Sequence, residues 1–369
     1  MAKRLTWLDV FTSRPLTGNG LAVVHHADGI DDATMLAFAR ETKLSETSFV
    51  QTATEPGADY RNRIWTIVSE LPFAGHPSLG TAVAIAHARA EREAHYVQQT
   101  MAGLQAVDVE LGASGVARAS MLQEPAVFGD EVDRERVFAA LGLAASDAHP
   151  ELPPQVVSTG LAHLMIPARE DEVLHRARPD NALLDALLSE YGVICAYLTA
   201  YDPSHDAAQA RGYFAADGLI IEDPATGSAA GPLCAYLNAR TGAARVDIVQ
   251  GEAMGRPSRL MCEAGERVRV AGDVVLLAEG EIELLARRPR RPGRARRGAR
   301  SWRRRRARGV LGPPWQAEVN SRASRSPTQD ALPMPPDCRP HPSRSSRSGG
   351  RAGRKAEGTA ARLEAPAGP

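Results

Sequence analysis

Short apolar runs alternate with helix-like segments along the first 286 residues of the chain. Apolar and β-branched runs bounded by Gly, Pro, Asn or Asp are typical of strands. They predict strands at LTWLDVF, GLAVVHH, IWTIV, VARASML, HLMIP, VICAYLTAY and LIIE. Apolar residues at helical spacing predict helices at ERVFAALG and NALLDALLSEYG. A further helix is capped by Asp31 or Asp32, carries Met35 and Ala39 on one face, and ends near Lys43. The next segment, LSETSFVQ, is predicted to be a loop that leads into a strand.

Two elements of this pattern resemble each other. In the first, the break ELPFAGHP precedes the helix SLGTAVAIAHARA, and the second is DPATGSAAGPLCAYLNAR. Each combines a Gly-containing turn with a helix of small and apolar residues, and each follows an apolar run and an acid, Glu70 or Glu222. Helices so poor in bulky side chains suit a central position, because strands can approach their backbones closely. We therefore predict an α+β fold of two similar lobes, residues 1–118 and 119–286, each wrapped around one central helix.

The charge of the chain is divided unevenly between its body and its end. Of 44 Lys and Arg and 44 Asp and Glu, residues 287–369 hold 22 basic and 5 acidic side chains. The first 286 residues therefore carry 22 basic and 39 acidic side chains, a net charge of −17. An acidic body is followed by a basic tail, and the overall net charge of zero conceals this division.

The tail, residues 287–369, has too few apolar residues to form a core that offsets the entropy of ordering. We expect a disordered, solvated extension. Its run RRPRRPGRARRGARSWRRRRARG is also typical of a nucleic-acid patch. The composition changes abruptly after GEIELLARR, which suggests a third hypothesis, a reading-frame change near the end of the gene. An intact mass of the native protein that matches all 369 residues would refute it.

Several function classes are disfavoured by the motifs. The chain has neither the dinucleotide fingerprint GxGxxG nor the phosphate loop GxxxxGK[ST] at these Gly-rich helix starts. Its four cysteines, Cys195, Cys234, Cys262 and Cys338, lack metal-ligand spacing, which predicts reduced thiols and no metal. The start MAKRLTWLDVF does not resemble a signal peptide, and no apolar stretch reaches the roughly 18 residues of a membrane span. We expect a cytoplasmic protein without membrane contact.

The two turn-to-helix junctions are the best candidates for chemistry. A helix N-terminus offers unpaired N–H groups and about half a positive charge, so two such ends facing one cleft would bind a carboxylate. Gly75 and Gly227 would let a ligand approach the backbone. His76 could donate to a ligand or relay a proton, or be structural. Asp223 could equally be a helix cap, and Glu46 a surface residue or a general base.

Long strings around these residues resemble the phenazine-biosynthesis (PhzF-like) isomerases. They are DVFTSRPLTGNGLAVV, FARETKLSETSFV, SELPFAGHPSLGTA, EDPATGSAAGPLCAYL and DIVQGEAMGRPSRL. The resemblance covers nearly all of residues 5–286 in the same order. It implies the diaminopimelate-epimerase-like fold, in which each of two lobes is a sheet curled around a central helix and the active site lies between them. It also implies a homodimer that needs no metal or organic cofactor.

The resemblance assigns roles to individual positions. It implies that Glu46 is the general acid/base and that His76 and Asp223 are its polar partners. It also implies a substrate pocket formed by Ser45, Gly75, Gly227 and Ser228. The substrate it implies is trans-2,3-dihydro-3-hydroxyanthranilate, in the biosynthesis of phenazine antibiotics, with Glu46 moving a proton from C3 to C1.

One departure and three rivals accompany this interpretation. Gly20 stands where the family often has Pro, which we expect to loosen that turn without affecting a catalytic group. A two-thiol racemase of the same superfamily is excluded because neither junction has a Cys, and Cys234 is interpreted as a packing residue. A related isomerase acting on another small cyclic carboxylate remains open. A nucleic-acid-binding protein acting through its tail is a third, less favoured hypothesis.

Overall fold

The computed structural model describes residues 2–113, 115–216 and 218–284. Within these ranges the chain forms seventeen strands and six α-helices. The strands are β1 (Ala2–Val10), β2 (Asn19–Val24), β3 (Glu46–Gln51), β4 (Tyr60–Trp65), β5 (Glu70–Leu71), β6 (Glu93–Thr100), β7 (Gly103–Leu111), β8 (Val116–Leu122), β9 (Val127–Glu131), β10 (Gln155–Ser158), β11 (Ala162–Pro167), β12 (Cys195–Asp202), β13 (Ala207–Ala216), β14 (Leu219–Asp223), β15 (Arg245–Gln250), β16 (Ser258–Glu263) and β17 (Arg269–Glu283). The helices are α1 (Asp32–Thr42), α2 (Gly75–Arg89), α3 (Arg134–Ala140), α4 (Asp171–Arg176), α5 (Asn181–Tyr191) and α6 (Gly227–Thr241). Two 3₁₀ turns span Ala145–Asp147 and Glu252–Met254. The predicted tail lies outside the described residues.

The strands form one mixed, barrel-like sheet. Hydrogen bonds close a ring in the order β1, β2, β3, β4, β6, β7, β8, β17 and back to β1. Helix α2 contacts the strands of this ring, and its first twelve residues, 75–86, are buried. Closure of the ring leaves few unpaired strand edges and encloses the helix on all sides.

A second series of paired strands curves around helix α6. It runs β10, β11, β12, β13, β15, β16 and β17. Helix α6 contacts β10, β11, β15, β16 and β17, and is buried along most of its first eleven residues. Strand β17 takes part in both arrangements because it pairs with β1, β8 and β16 along different parts of its length.

The small residues of the central helices follow from this enclosure. A Cβ atom at Gly80 would lie 2.6 Å from Leu21 Cδ2 and 2.8 Å from Val10 Cγ2. Strands β1 and β2 therefore pack directly against the backbone of α2. This confirms the prediction that helices poor in bulky side chains take a central position.

The predicted elements are mostly confirmed, with two shifted boundaries. Asp31 caps α1 by accepting from Thr34 N, and Lys43 ends it at φ 54°. The strand predicted at IWTIV is wrong beyond Trp65, because Thr66 N donates to Ser69 O in a tight turn. Helix α2 begins at Gly75 and not after the FAGHP break, since Pro77 falls in the first turn, where a missing N–H costs nothing. No helix within the described ranges is long and apolar enough to cross a membrane.

Candidate active site

The N-termini of α2 and α6 meet at one point. A Cβ atom at Gly75 would lie 2.8 Å from Gly227 C and 2.9 Å from Ser228 N. A Cβ at Gly227 would lie 3.4 Å from Gly75 Cα. Within the described residues, neither N-cap residue, Ala74 for α2 or Thr226 for α6, caps its helix with a side-chain hydrogen bond. Two partial positive charges therefore converge on the same place, as an anion site requires.

Glu46 and His76 approach each other beside this junction. Glu46 is the first residue of β3, and His76 is the second residue of α2. The Glu46 Oε2 and His76 Nε2 atoms lie 3.4 Å apart, and the side chains are 16% and 5% exposed. Neither atom has a hydrogen-bond partner of good geometry among the described residues, although both are buried. A buried polar pair left in this state is poised to bind a further group.

Asp223, the last residue of β14, is held by three donors. Its Oδ1 accepts from Asn19 Nδ2 at 2.9 Å and from Ser45 Oγ at 3.2 Å, and its Oδ2 accepts from Thr226 Oγ1 at 2.8 Å. Gln250 Nε2 donates to the Asp223 carbonyl at 2.8 Å and thereby fixes the backbone. Asp223 is thus a positioned carboxylate, and it is not the cap of α6.

Asn19 connects Asp223 to His76. Its amide nitrogen donates to Asp223 Oδ1 and, at 3.1 Å, to the Ala225 carbonyl, and it lies 3.3 Å from His76 Nδ1. The amide has only two hydrogens, so its 3.3 Å contact with His76 Nδ1 is at most a weak, shared hydrogen bond, in which Nδ1 would be the acceptor. In that tautomer the proton of the neutral ring is on Nε2, the atom that faces Glu46.

Burial shifts the pKa of all three ionisable groups toward the neutral form. Burial lowers the pKa of His76 to about 3, so the ring is uncharged near neutral pH. Burial raises the pKa of Asp223 to about 6, and its three hydrogen bonds oppose this. Burial also raises the pKa of Glu46 well above its usual value, and the nearby charge of Asp223 raises it further. Because three hydrogen bonds favour the charged form of Asp223, that carboxyl ionises before Glu46, which holds its proton to a higher pH than an ordinary glutamate does.

Sequence reasoning missed the polar groups that support this cluster. Asn19, Thr226 and Gln250 were not predicted, because amide and hydroxyl side chains in loops and strand ends are common and carry no spacing signal. The expectation that glycine at position 20 affects no catalytic group stays a prediction. Gly20 lies in strand β2, directly after Asn19, which contacts both His76 and Asp223.

The other predicted residues lie at the same junction. Ser45 contacts Asp223, while Gly75, Gly227 and Ser228 occupy the two helix starts. Cys234 is fully buried in the core, away from the helix start, as its packing interpretation predicted. The described residues contain no group of three or more His, Cys, Asp or Glu that could hold a metal ion.

Asp223→Asn is expected to change how stability depends on pH. The folded-state pKa is raised from 3.8 to about 6, so folded protein holds this proton more tightly than unfolded protein. The free energy of unfolding therefore falls as pH rises through that interval, and the amide removes this loss. Thermal unfolding of both proteins between about pH 4 and 8 measures the effect. Asp130→Asn, on exposed strand β9, is the control; parallel curves for wild type and Asp223→Asn would contradict the expectation.

Comparisons with known proteins agree on one family. The phenazine biosynthesis-like protein family matches residues 8–280. The trans-2,3-dihydro-3-hydroxyanthranilate isomerase of Pseudomonas aeruginosa is 35% identical over 292 residues, which span 76% of this chain and 99% of the relative. The uncharacterized isomerase YddE of Escherichia coli K12 is 31% identical, over 77% of this chain and all of the relative.

Solved structures give the same result. A protein from Pseudomonas aeruginosa described as an epimerase superposes with a TM-score of 0.68 at 40% identity, over 76% of this chain and 99% of its own. A Bacillus anthracis phenazine biosynthesis protein of the PhzF family also reaches 0.68, at 25% identity, over 77% and 99% of the two chains. A hydroxyproline epimerase from Agrobacterium vitis, at 14% identity and a TM-score of 0.53 over 78% and 93% of the two chains, shares the fold. This chain therefore belongs to the phenazine biosynthesis-like protein family and is an isomerase.

Proposed function

We propose that this chain shifts a proton on trans-2,3-dihydro-3-hydroxyanthranilate without a cofactor, with Glu46 as the general acid/base. The observation that carries the proposal is the buried Glu46 carboxyl, whose free Oε2 lies beside two uncapped helix N-termini. The helix starts supply an anion site for the substrate carboxylate, and Glu46 supplies a base next to it. The identity to relatives named for this reaction supports the choice of substrate.

The proposed reaction needs one base. The N–H groups at Gly75, Gly227 and Ser228 hold the substrate carboxylate. Glu46 takes the proton from C3, the electron pair moves through the conjugated double bonds, and protonated Glu46 returns the proton to C1. The product enol then rearranges to a ketone. No atom is gained or lost, so the balance requires no further reactant. Orientation between fixed helix ends can supply several kcal/mol of the barrier reduction, within the range of roughly 7–11 kcal/mol known for intramolecular reactions.

The proposed roles of His76 and Asp223 follow from their charge states. Neutral His76 presents Nε2–H toward Glu46 and stabilises the carboxylate form without neutralising it. Burial raises the pKa of Glu46, and repulsion from ionised Asp223 raises it further. A general base works best with a pKa near the working pH, which lies above the ordinary pKa of a glutamate.

We further propose that residues 1–118 and 119–286 form two lobes, with the site between them, and that two chains form a homodimer. The ring around α2 and the series of strands around α6 support the two lobes. Strand β17 belongs to both arrangements, because it pairs with β16 near its N-terminal end and with β8 and β1 along its length.

The test is turnover of trans-2,3-dihydro-3-hydroxyanthranilate by the full chain in D2O, followed by proton NMR. A single base fits either of two outcomes when the substrate is consumed. Deuterium at C1 of the product would mean that protonated Glu46 exchanges its proton with solvent during the reaction. Transfer of the original C3 proton to C1 would mean that Glu46 is shielded from solvent. A folded protein that leaves this substrate unchanged would refute the substrate. Relatives of similar identity are named only as uncharacterized isomerases, so other small cyclic carboxylates would then be assayed.

A further inference from the structure

A cavity lies on the face of strands β13 and β14 that is turned away from the candidate active site. In this strand pair, Gly212 is opposite Asp223 and Tyr213 is opposite Glu222. Successive residues of a strand point to opposite faces, so Tyr213 and Glu222 point away from the face that carries the Asp223 side chain. Helices α4 and α5 contact the strands on this side. The cavity between them has a volume of about 390 Å³, which is within the range of roughly 300–1,000 Å³ for small-molecule sites.

One wall of this cavity is a fixed ion pair. Arg211 Nε and Nη2 donate to Glu222 Oε1 and Oε2 at 2.8 and 2.6 Å. Arg211 Nη1 donates to the Leu174 carbonyl at 2.6 Å, and the Arg211 Cζ atom lies 5.3 Å from the centre of the Tyr213 ring. The two charged side chains therefore satisfy each other and hold the tyrosine ring in place.

The hydroxyl of Tyr213 is a polar group without a partner beside this wall. Tyr213 lines the cavity and is 2% exposed, and its hydroxyl has no hydrogen-bond partner among the described residues. Burial raises the pKa of Tyr213, so the group remains a neutral O–H donor. A buried hydroxyl costs stability until something bonds to it. A molecule bound in the cavity could supply the acceptor.

Two further donors line the cavity. Asn181, the first residue of α5, accepts from Ile220 N at 3.0 Å with its side-chain oxygen, which leaves both hydrogens of its amide nitrogen available. Arg178 Nη1 donates to the carbonyls of His175 and Ala177 at 2.9 and 2.7 Å, which holds the guanidinium at the cavity. The other N–H groups of Arg178 make no hydrogen bond within the described ranges. Unused donors therefore collect here.

The lining suits an anion with an apolar body. Apart from His175, which can be neutral, Arg178 and Arg211 against Glu222 leave one positive charge on the cavity. This balance favours a molecule with a single negative charge. Pro179 and Ile220 add apolar surface on which the body of such a molecule can pack.

We propose that this cavity binds a small organic carboxylate, held by the Arg178 guanidinium, the Asn181 amide and the Tyr213 hydroxyl. The site is separate from the junction of the two helix starts and does not rest on the proposed function.

Calorimetric titration of the full chain with sodium benzoate at low salt tests the site. Binding should contain a component that Tyr213→Phe weakens about tenfold, the equivalent of one hydrogen bond to a charged group. Tyr60→Phe is the matched control, because it also removes a hydroxyl that is buried and unpartnered among the described residues, but in strand β4 of the ring around α2. It should bind benzoate as the wild type does. Wild-type affinity in folded Tyr213→Phe, or a wild type that binds no benzoate at millimolar concentration, would overturn the proposal.

Asn181→Asp gives an independent arm of the test. Aspartate keeps the oxygen that accepts from Ile220 N, and at the first residue of α5 its charge complements the helix dipole. The melting temperature should therefore be equal or higher, while a carboxylate in place of the N–H donor lowers the affinity of the benzoate component more than tenfold. Benzamide, the neutral analogue of benzoate, should also bind far more weakly. Unchanged affinity in Asn181→Asp, or equal affinity for benzamide, would contradict recognition of an anion.

Turnover assays separate this cavity from the candidate active site. Tyr213→Phe and Asn181→Asp should keep the wild-type kcat/KM, and Glu46→Gln should keep the benzoate component. Loss of that component in folded Glu46→Gln would place benzoate in the candidate active site and overturn the proposal. If the wild type does not turn over the proposed substrate but the benzoate results hold, the proposed function fails and the assignment of the cavity stands.

Discussion

Glu46→Gln is expected to lower turnover about a thousandfold and to leave the fold intact, because general acid–base groups contribute about 10²- to 10⁴-fold. The amide has the same shape and cannot take a proton from carbon. Because the raised pKa means that the folded protein holds this proton more tightly than the unfolded chain, the wild-type free energy of unfolding falls as pH rises above the ordinary value of 4.5, and the amide removes this loss. The melting temperature at pH 8 should therefore be equal or higher, while activity is lost.

The control is Glu41→Gln, an exposed position on the neighbouring helix α1. It should keep wild-type activity. Rates are measured by substrate loss, and incorporation of deuterium from D2O is followed in parallel. A folded Glu46→Gln protein that retains a near-normal rate would remove the general-base proposal. A slow variant with a normal KM would locate the loss in the chemical step.

Gly75→Ala is expected to have the second largest effect. Alanine is usually the better helix former by about 1 kcal/mol. Here its Cβ would lie 2.8–2.9 Å from three backbone atoms of Gly227 and Ser228, and backbone cannot turn aside as a side chain can. The two helix starts must move apart. Overpacking of this kind costs about 1–3 kcal/mol, so the clash outweighs the gain in propensity.

The functional cost should exceed the loss of stability. A displacement of about 1 Å at a substrate-positioning group can lower the rate about a hundredfold, and both helix ends are displaced together. We expect kcat/KM to fall by about that factor while the protein remains folded. Gly280→Ala is the control, because a Cβ atom there meets nothing within 4 Å. Wild-type kcat/KM in Gly75→Ala would show that the close approach of the two helices does not serve the reaction.

Glu46→Gln and Gly75→Ala both act at the junction of the two helix starts. The polar side chains buried at this junction explain why the site costs stability. Burial of Glu46, His76 and Asp223 shifts the pKa of each group toward its uncharged form. Asn19, Ser45 and Thr226 satisfy only Asp223 fully, so Glu46 and His76 retain unused hydrogen-bonding atoms. This incomplete satisfaction is what a bound substrate would complete.

The sequence determined the local features of this chain. Asp31 and Lys43 delimit α1 because a capping carboxylate and a left-handed residue act within a few positions of the helix. The small residues after Gly75 and Gly227 predicted two central helices, since only a helix enclosed by strands can lack a polar face. The long strings around Glu46, His76 and Asp223 were sufficient for the family, which the comparisons confirm.

Tertiary structure alone decided how these parts meet. Strands β6, β7, β13, β15 and β16 were not predicted, although in β7 the alternation of buried Val107 and Val109 with exposed Asp108 and Glu110 is typical of a strand. Which strands pair with one another is decided by long-range contacts. The ring around α2 closes only when β17 reaches β1 from the far end of the described chain. Asn19 and Asp223 are 204 residues apart and yet share a hydrogen bond. The sequence thus identified the chemical groups of the candidate site, because residue types and local spacings can be read directly from it. Their distances, burial and pKa shifts arise from long-range packing, which no local pattern records.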